Sequence, residues 1–237
     1  MLVLALTLAA LQQAVAQTAV SGSVSVLSDY RYRGQSLSDD KTAYQLTVNV
    51  DHTSGWYAGG FATSANVADT NGAQLIGYAG YAQRLRSGIS WEAGCTRTAY
   101  TSWHAADYSE CYAGLAGERT GGRLYYSPRY LGRDDRTLYA EINTFYPLHE
   151  QVNLTGHVGL LHTLSGGAWP GIPASQRYDA RIGINLRLGD WSAQLARSYA
   201  QAESQPNGAP AAPYDPPPGP RYARPAHAWV LGASYAF

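Results

Sequence analysis

The sequence predicts an all-β membrane protein: a transmembrane antiparallel β-barrel of about twelve strands in up-and-down order. Three observations lead to this prediction. Segments of alternating polar and apolar residues recur along the chain, the connections between them alternate between short and long, and the last segment carries large apolar residues on one face only. Strands with this pattern have an outer face that meets lipid and an inner face that lines a polar interior.

Residues 1–17 are predicted to form a secretory signal peptide. An apolar run over residues 1–11 is followed by Ala14-Val15-Ala16, a spacing of small residues typical of a cleavage site. Basic residues that usually precede such a run are missing, and a buried N-terminal helix is the alternative interpretation. The barrel domain, residues 18–237, is therefore expected to leave the cytoplasm.

The first strand is predicted over residues 20–33, where side chains alternate with the period of two that a strand requires. One face carries Val20, Gly22, Val24, Val26, Tyr30 and Tyr32. The other face carries Ser21, Ser23, Ser25, Asp29, Arg31 and Arg33. Residues 44–51 and 178–188 repeat the scheme, so each of these segments is expected to turn an apolar face towards lipid.

Nine further strands complete the predicted barrel. They lie near residues 56–65, 73–84, 89–101, 107–117, 123–131, 137–147, 152–163, 191–202 and 226–237. Twelve tilted strands of about 9–11 residues need roughly 110–130 residues, which leaves enough chain for the connections. An even number of strands is typical of bacterial barrels.

The connections predict two different rims. Short turns, most of them with glycine, are expected at residues 53–55, 86–88, 120–122, 148–151 and 189–190. Longer links alternate with them at residues 34–42, 66–72, 102–106, 132–136, 164–177 and 203–225. Outer-membrane barrels have this asymmetry, with the short turns on the periplasmic side. The last link is rich in proline and cannot pair in a sheet, so it is predicted to be an external loop, with a lid folded into the pore as the alternative.

Aromatic residues cluster near the predicted strand ends, as in the aromatic girdles of membrane proteins. Those near the short turns or the last residue are Trp56, Tyr57, Trp91, Tyr146, Trp191 and Phe237. Those near the long links are Tyr30, Tyr32, Tyr44 and Tyr178.

Charged residues fall on the faces that alternation directs inward, because an arginine that faced lipid at mid-depth would cost about 2–4 kcal/mol. These pore-lining candidates are Asp29, Arg31, Arg33, Asp51, Glu92, Glu110, Arg123, Arg129, Glu141, Asp179, Arg181 and Arg187. One interpretation is a polar pore whose mixed charges set its ion preference. The other is an interior filled by ion pairs that hold a narrow barrel together. Asp29, Arg31 and Arg33 are expected at the upper mouth, where solutes would meet them first.

Cys95 and Cys111 are equidistant from residue 103, near the middle of the predicted 102–106 loop. Positions equidistant from a hairpin turn lie opposite each other. The spacing therefore predicts a cross-strand disulfide formed in the periplasm. Two free thiols that face lipid are the alternative.

No motif in the chain indicates catalysis, a metal site or a cofactor. The six histidines are scattered, and no HExxH, GxSxG or CxxC motif is present. A net charge of +0 also argues against a nucleic-acid partner. The sequence thus predicts neither an enzyme nor a cofactor-binding protein, although a lipid-modifying barrel enzyme that uses serine and histidine remains an alternative. It does not indicate an oligomeric state.

The last strand resembles the C-terminal signal of bacterial outer-membrane proteins. Gly232, Tyr235 and Phe237 occupy the positions where that signal has glycine and two aromatic residues. The resemblance implies that the barrel-assembly machinery binds the chain during biogenesis and that outer-membrane lipid surrounds the folded protein.

Several short segments also resemble the TorF-family putative porins of Gram-negative outer membranes. They include the hairpin over residues 27–45, Gly55-Trp-Tyr-Ala-Gly-Gly60, Glu110-Cys-Tyr-Ala-Gly-Leu115 and Tyr125-Tyr-Ser-Pro128. The resemblance implies a barrel that passes small solutes. The expected function is therefore passive diffusion of small hydrophilic solutes, with a closed barrel that acts as a structural or surface-binding scaffold as the alternative.

Overall fold

A computed structural model describes residues 17–67, 70–165, 176–201 and 227–237, and these form a closed antiparallel barrel of twelve strands. The barrel strands are β1 (Thr18–Leu27), β4 (Ala43–His52), β5 (Trp56–Val67), β6 (Thr70–Arg84), β7 (Ser90–Tyr100), β8 (Tyr108–Ala116), β9 (Thr120–Ser127), β10 (Arg136–His149), β11 (Val152–Ser165), β12 (Gln176–Leu188), β13 (Trp191–Ala200) and β14 (Ala228–Ala236). The predicted signal peptide and the proline-rich link lie outside the described residues.

The barrel closes because β1 pairs with β4 on one side and with β14 on the other. At this seam Gly22 and Phe237 exchange two backbone hydrogen bonds of 3.0 Å. A Cβ added to Gly22 would lie 2.6 Å from the Phe237 ring, so glycine makes room for that aromatic side chain. Closure leaves no unpaired strand edge, which hydrocarbon would not tolerate.

The outer surface is apolar over most of its height. On β14, Trp229 and Leu231 are 63% and 60% exposed, whereas Val230 between them faces inward and is 7% exposed. Lipid is the only surrounding in which such a continuous apolar face is stable without a protein partner. No helix in the described part of the chain is long and apolar enough to cross a membrane.

The five connections at one end, which we call the short-turn rim, have two to five residues; the opposite end, the long-loop rim, carries the longer connections, except for the one between β5 and β6. Aromatic pairs surround the short-turn rim, as predicted: Trp56 lies 5.4 Å from Tyr81, and Trp191 lies 5.0 Å from Tyr235, between ring centroids. The connection between β5 and β6 is shorter than predicted, because these strands continue to Val67 and Thr70.

The prediction for the first strand was wrong beyond residue 27. β1 ends at Leu27, and residues 28–42, which we call the inserted loop, fold into the barrel from the long-loop rim. Within this loop, β2 (Arg31–Tyr32) pairs with β3 (Gln35–Ser36) across a two-residue turn, Arg33-Gly34. Both turn residues have positive φ, 49° and 76°, as a two-residue hairpin turn of type I′ requires. Alternation along 28–33 therefore belongs to a small separate hairpin.

Two further expectations about β9 were wrong. The predicted turn at residues 120–122 lies inside this strand, and the chain instead turns at residues 117–119, closed by a 2.9 Å bond from Gly117 N–H to Thr120 O. β9 ends at Ser127 because Pro128, which follows, has no N–H to donate to the sheet. Arg129 consequently lies on a loop with its side chain 68% exposed, and it is not a wall residue.

The packed core lies inside the barrel, in the half next to the long-loop rim. Its members come from the inserted loop, from the inner faces of the strands and from two 3₁₀ turns, His104–Ala106 and Tyr130–Gly132. They are Tyr30, Leu37, Ala43, Ala65, Tyr100, Ala106, Tyr108, Tyr130, Tyr139 and Leu161. The half next to the short-turn rim has no comparable cluster among the described residues.

Candidate functional site: the barrel interior

A cavity of about 740 Å³ occupies the barrel interior below the tip of the inserted loop. Nine of the twelve charged candidates line it: Arg31, Arg33, Asp51, Glu92, Glu110, Arg123, Glu141, Asp179 and Arg181. Asp51 and Arg181 are exposed, whereas Glu110 and Asp179, nearer the loop, are buried. The cavity is therefore wet towards the short-turn rim and ends at the loop. Arg187 is exposed and lies outside the cavity lining.

The tip of the inserted loop is held by a buried ion pair. Arg33 Nη2 lies 2.6 Å from Glu110 Oε2 on β8, and the two side chains are only 5% and 2% exposed. The Arg33 guanidinium also lies 4.1 Å from the centre of the Tyr139 ring and 5.3 Å from that of Tyr130. A cation this deep requires both its carboxylate partner and the ring faces, since an unpaired buried charge is strongly unfavourable.

On the far side of the lumen, Gly34 packs against β12 and β13. A Cβ added there would lie 2.6 Å from the Ala200 Cβ and 2.7 Å from the Asp179 Cβ. β13 and β8 lie almost opposite each other in the strand order of the barrel. Because Arg33 reaches β8 while Gly34 touches β13, the hairpin tip spans the lumen.

Tyrosine hydroxyls fix the rest of the loop. Tyr30 donates to Gln74 Oε1 at 2.7 Å, and Gln74 donates to the Tyr100 hydroxyl at 2.9 Å. Tyr108 donates to the Tyr32 hydroxyl at 3.0 Å. Burial raises the pKa of Tyr30 and that of Tyr32 above the ordinary phenol value, so both stay neutral and can keep these bonds. Neither tyrosine faces lipid, contrary to the prediction.

Asp29 and Arg31, which were expected at the upper mouth, are buried within the inserted loop and hold it in shape. Arg31 Nε is 2.5 Å from Asp29 Oδ2, and its Nη2 is 2.8 Å from Asp40 Oδ1. Asp29 also accepts hydrogen bonds from the hydroxyls of Ser36 and Ser38 at 2.6 and 3.0 Å. Both side chains of the Asp29–Arg31 pair are almost fully buried.

A second ion pair lies lower in the cavity, where water reaches it. Arg123 Nε is 2.6 Å from Glu92 Oε1, with the arginine side chain 44% exposed. Tyr57 donates to the other Glu92 oxygen at 2.9 Å and contacts the Tyr112 hydroxyl at 2.5 Å. Tyr57 was expected in the lipid girdle, but it points into the cavity.

The inward tyrosines are the main feature that the sequence analysis missed. Tyr112, Tyr125 and Tyr139 each lie two residues from an inward charge, on Glu110, Arg123 and Glu141 respectively. The period of two therefore already placed them inside. The sequence analysis considers only charged residues as pore-lining candidates, and therefore it leaves these three tyrosines out.

Potential catalytic and metal-binding groups are few. His157 Nε2 lies 2.7 Å from Asp179 Oδ1, and Tyr139 donates to Asp179 Oδ2 at 3.1 Å, so the histidine is held in the cavity wall. His52 contacts the Ser54 hydroxyl at 2.6 Å within an exposed turn. Within the residues that the structure describes, no acidic side chain contacts His52. No group of His, Cys, Asp and Glu residues within the described ranges could hold a metal ion.

Cys95 and Cys111 are direct partners in the register of β7 and β8, and their sulfur atoms are bonded at 2.11 Å. Both residues are exposed on the outer surface. The bond therefore joins two wall strands from the lipid side and does not narrow the cavity.

Residues of the C-terminal motif lie on both faces of β14. Tyr235 packs on Trp191 at the outer surface, and Phe237 covers Gly22 at the seam. Gly232 faces inward, where an added Cβ would meet Leu27 and Gln194.

Two solved structures share this architecture. The KdgM porin matches with a TM-score of 0.55 at 12% identity, over 92% of this chain and 99% of the porin. The NanC porin matches with a TM-score of 0.55 at 13% identity, over 92% and 99% of the two chains. At such low identity the likeness concerns the fold: a closed barrel with an apolar belt, shared with porins. The protein is thus an outer-membrane β-barrel.

Among curated protein sequences, none is significantly similar to the chain. One family model, described as "Bacterial protein of unknown function (Gcw_chp)", matches residues 11–213. Because the match covers most of the sequence, the chain belongs to this family.

Proposed function

We propose that the protein is an outer-membrane channel for the passive diffusion of small hydrophilic solutes, with the inserted loop as its constriction. The observation that carries this proposal is the charged cavity of about 740 Å³, which extends from the loop tip towards the short-turn rim. A barrel that served only as a scaffold could fill this space with apolar side chains. Here the space is lined by charges, amides and phenols, the groups that replace water around a polar solute.

The charges of the cavity favour small polar solutes over strongly charged ones. Two acidic side chains are neutralised by arginine, Glu110 by Arg33 and Glu92 by Arg123. Three lining charges, Asp51, Glu141 and Arg181, have no ion pair within the described residues, and they include both signs. Neither sign dominates, so we expect weak ion selectivity.

The similarity to KdgM and NanC, both named as porins, supports the same proposal, as does the resemblance of the sequence to TorF-family putative porins. Outer-membrane lipid around the barrel and the assembly machinery during biogenesis are the partners that we propose with this function.

The inserted loop offers a direct test. Tyr30 O accepts a 2.8 Å bond from Leu37 N–H, so two glycines could replace residues 31–36 and close a two-residue turn between these positions. We expect the shortened variant to conduct with larger steps in planar bilayers than the wild type. It should also admit larger neutral sugars into liposomes. A variant with Arg86 and Ser87 replaced by glycine changes a turn at the other rim and should behave as the wild type does.

A closed scaffold is the second candidate, and the dense packing around Arg33 favours it. If both the wild type and the shortened variant are silent in bilayers while folded, the channel proposal fails and the scaffold remains. If the wild type conducts and the shortened variant conducts no better, the loop is not the constriction.

A further inference from the structure

Charged side chains are distributed very unevenly over the two faces of the barrel wall. The carboxylates of the described barrel strands line the cavity: Asp51, Glu92, Glu110, Glu141 and Asp179. Two arginines instead point outward from strand interiors. Arg97 lies 3.8 Å from Asp107, in the loop after its strand. Arg197 also faces outward, but it has no acidic partner in the described part of the chain.

Arg197 lies on the lipid-facing side of β13. Its neighbours in sequence, Ala196 and Ser198, face inward and are 5% and 3% exposed. In the register it lies between Ile182 of β12 and Trp229 of β14. Its guanidinium lies 5.4 Å from the centre of the Trp229 ring, whose residue is 63% exposed.

Aromatic residues around Arg197 mark the level of the lipid headgroups. Tyr199 lies two residues closer to the long-loop rim, and its ring is 5.0 Å from that of His227. Tyrosine and tryptophan collect where hydrocarbon gives way to headgroups. An arginine on the outer face costs only about 0–1 kcal/mol at this depth, and there it can reach lipid phosphate.

A groove of about 500 Å³ runs down the outer wall from this point. Arg197 and Tyr199 line it near the long-loop rim, and Tyr146 lines it near the short-turn rim. Between them, Gly156 and Ala180 contribute little or no side chain, while apolar side chains border the groove: Ile142, Leu154, Val158 and Ile182. An apolar groove that leads to the outward-facing guanidinium of Arg197 has the shape and charge of one acyl chain attached to a phosphate.

We propose that this groove binds one phosphate-bearing lipid, with an acyl chain along Gly156 and Ala180 and the phosphate on Arg197. Guanidinium and phosphate form paired, charge-assisted hydrogen bonds, which makes arginine well suited to this headgroup. The site lies on the outside of the barrel, so it does not depend on whether the lumen conducts.

The test uses the full-length protein in detergent, with dioleoyl phosphatidic acid as the probe and dioleoyl phosphatidylcholine as the comparison lipid. Bound lipid is counted by native mass spectrometry at several lipid concentrations. We expect one phosphatidic acid to bind more tightly than phosphatidylcholine. In Arg197→Gln this binding should weaken about tenfold, which is the usual effect of losing a hydrogen bond to a charged group. Arg197→Lys keeps the positive charge and should therefore keep part of the binding.

Arg119→Gln is the matched control. Arg119 lies 5.6 Å from the Tyr146 ring at the opposite end of the groove, so its loss removes the same charge from the same face. Its binding of phosphatidic acid should equal that of the wild type. A loss in Arg119→Gln with none in Arg197→Gln would put the phosphate at the wrong end and overturn the proposal.

Ala180→Leu tests the groove separately from the charge. The larger side chain should displace the acyl chain and weaken binding of the lipid, although Arg197 is intact. Inorganic phosphate at equal concentration should not compete, because it offers nothing to the groove. Unchanged binding in both Ala180→Leu and Arg197→Gln, or equal binding of the two lipids, would refute the site. Circular dichroism of each variant would establish that the barrel is folded.

Discussion

The two halves of the barrel interior are built from the same strands but have different properties. Near the long-loop rim, the inserted loop and a cluster of tyrosines pack inside the barrel and narrow the lumen. Near the short-turn rim, the wall side chains surround a wet cavity of about 740 Å³. The difference shows that a twelve-stranded wall does not determine by itself whether its lumen is filled; a loop supplies the filling.

Each half contains one arginine–glutamate pair, and the environments of these pairs differ. The Arg33–Glu110 pair is almost completely buried, whereas Arg123 in the Arg123–Glu92 pair is 44% exposed. Removing one partner of a buried pair leaves an uncompensated charge, while a hydrated pair loses little. We therefore expect substitutions in the upper half to change stability and substitutions in the lower half to change permeation.

The largest effect is expected for Glu110→Ala. This change strands the Arg33 charge inside the filled half and should destabilise the protein by about 3–5 kcal/mol. Glu92→Ala is the matched control in the wet half, and its loss should be no more than about 1 kcal/mol. Urea unfolding from lipid vesicles would measure both. Equal losses would mean that the two halves do not differ in burial as described.

The second-largest loss of stability is expected in the outer wall, which both halves of the barrel share. A double variant, Cys95→Ala with Cys111→Ala, loses a bond across a separation of 16 residues. Such a cross-link typically stabilises a protein by about 3 kcal/mol through the unfolded chain. Because both cysteines face lipid, conductance should stay unchanged while the unfolding midpoint falls. Identical gel mobility with and without reductant, together with full thiol labelling, would contradict the bond.

Sequence patterns were sufficient for the wall and insufficient for the lumen. Alternation identified all twelve barrel strands because the lipid-facing side must be apolar at every second residue, as on β14. The same rule directed Glu92, Glu110 and Asp179 inward, where the structure has them. Strand ends were less certain, since they depend on single residues such as Pro128.

The inserted loop could not be recognised from alternation, because Tyr30 to Arg33 also alternate within the small hairpin. What distinguishes this hairpin from a longer strand is Gly34 at positive φ and the partners that the loop meets in the lumen. Those partners lie on strands far away in sequence, such as Gln74 and Glu110. A single sequence read by itself does not reveal such distant contacts.

The third-largest loss of stability is expected for Gly34→Ala. The residue has φ of 76°, and an added Cβ would press on Ala200 and Asp179. Backbone strain and overpacking together should cost about 2 kcal/mol and loosen the hairpin, so conductance should rise. Gly189→Ala is the control: φ is 62°, but nothing lies within 4 Å of the added atom. Only the strain of about 1 kcal/mol should remain there, without a change in conductance.

The smallest effect on stability, and the clearest on permeation, is expected for Arg181→Glu. Arg181 lines the wet cavity, is exposed, and has no ion pair within the described residues, so reversing its charge strands no buried partner. The unfolding free energy should therefore stay nearly constant. In a hydrated environment, the electrostatic energy of a permeating ion near this side chain should change by about 1 kcal/mol. This energy corresponds to roughly a fivefold change in the cation-to-anion permeability ratio. Reversal potentials in a salt gradient would measure this ratio, and Arg129→Glu on the exposed loop is the control for a general change in charge. If Arg129→Glu shifts the ratio as much as Arg181→Glu does, the cavity does not determine selectivity. A shift confined to Arg181→Glu would assign ion selectivity to the short-turn half of the barrel and the constriction to the half that contains the inserted loop.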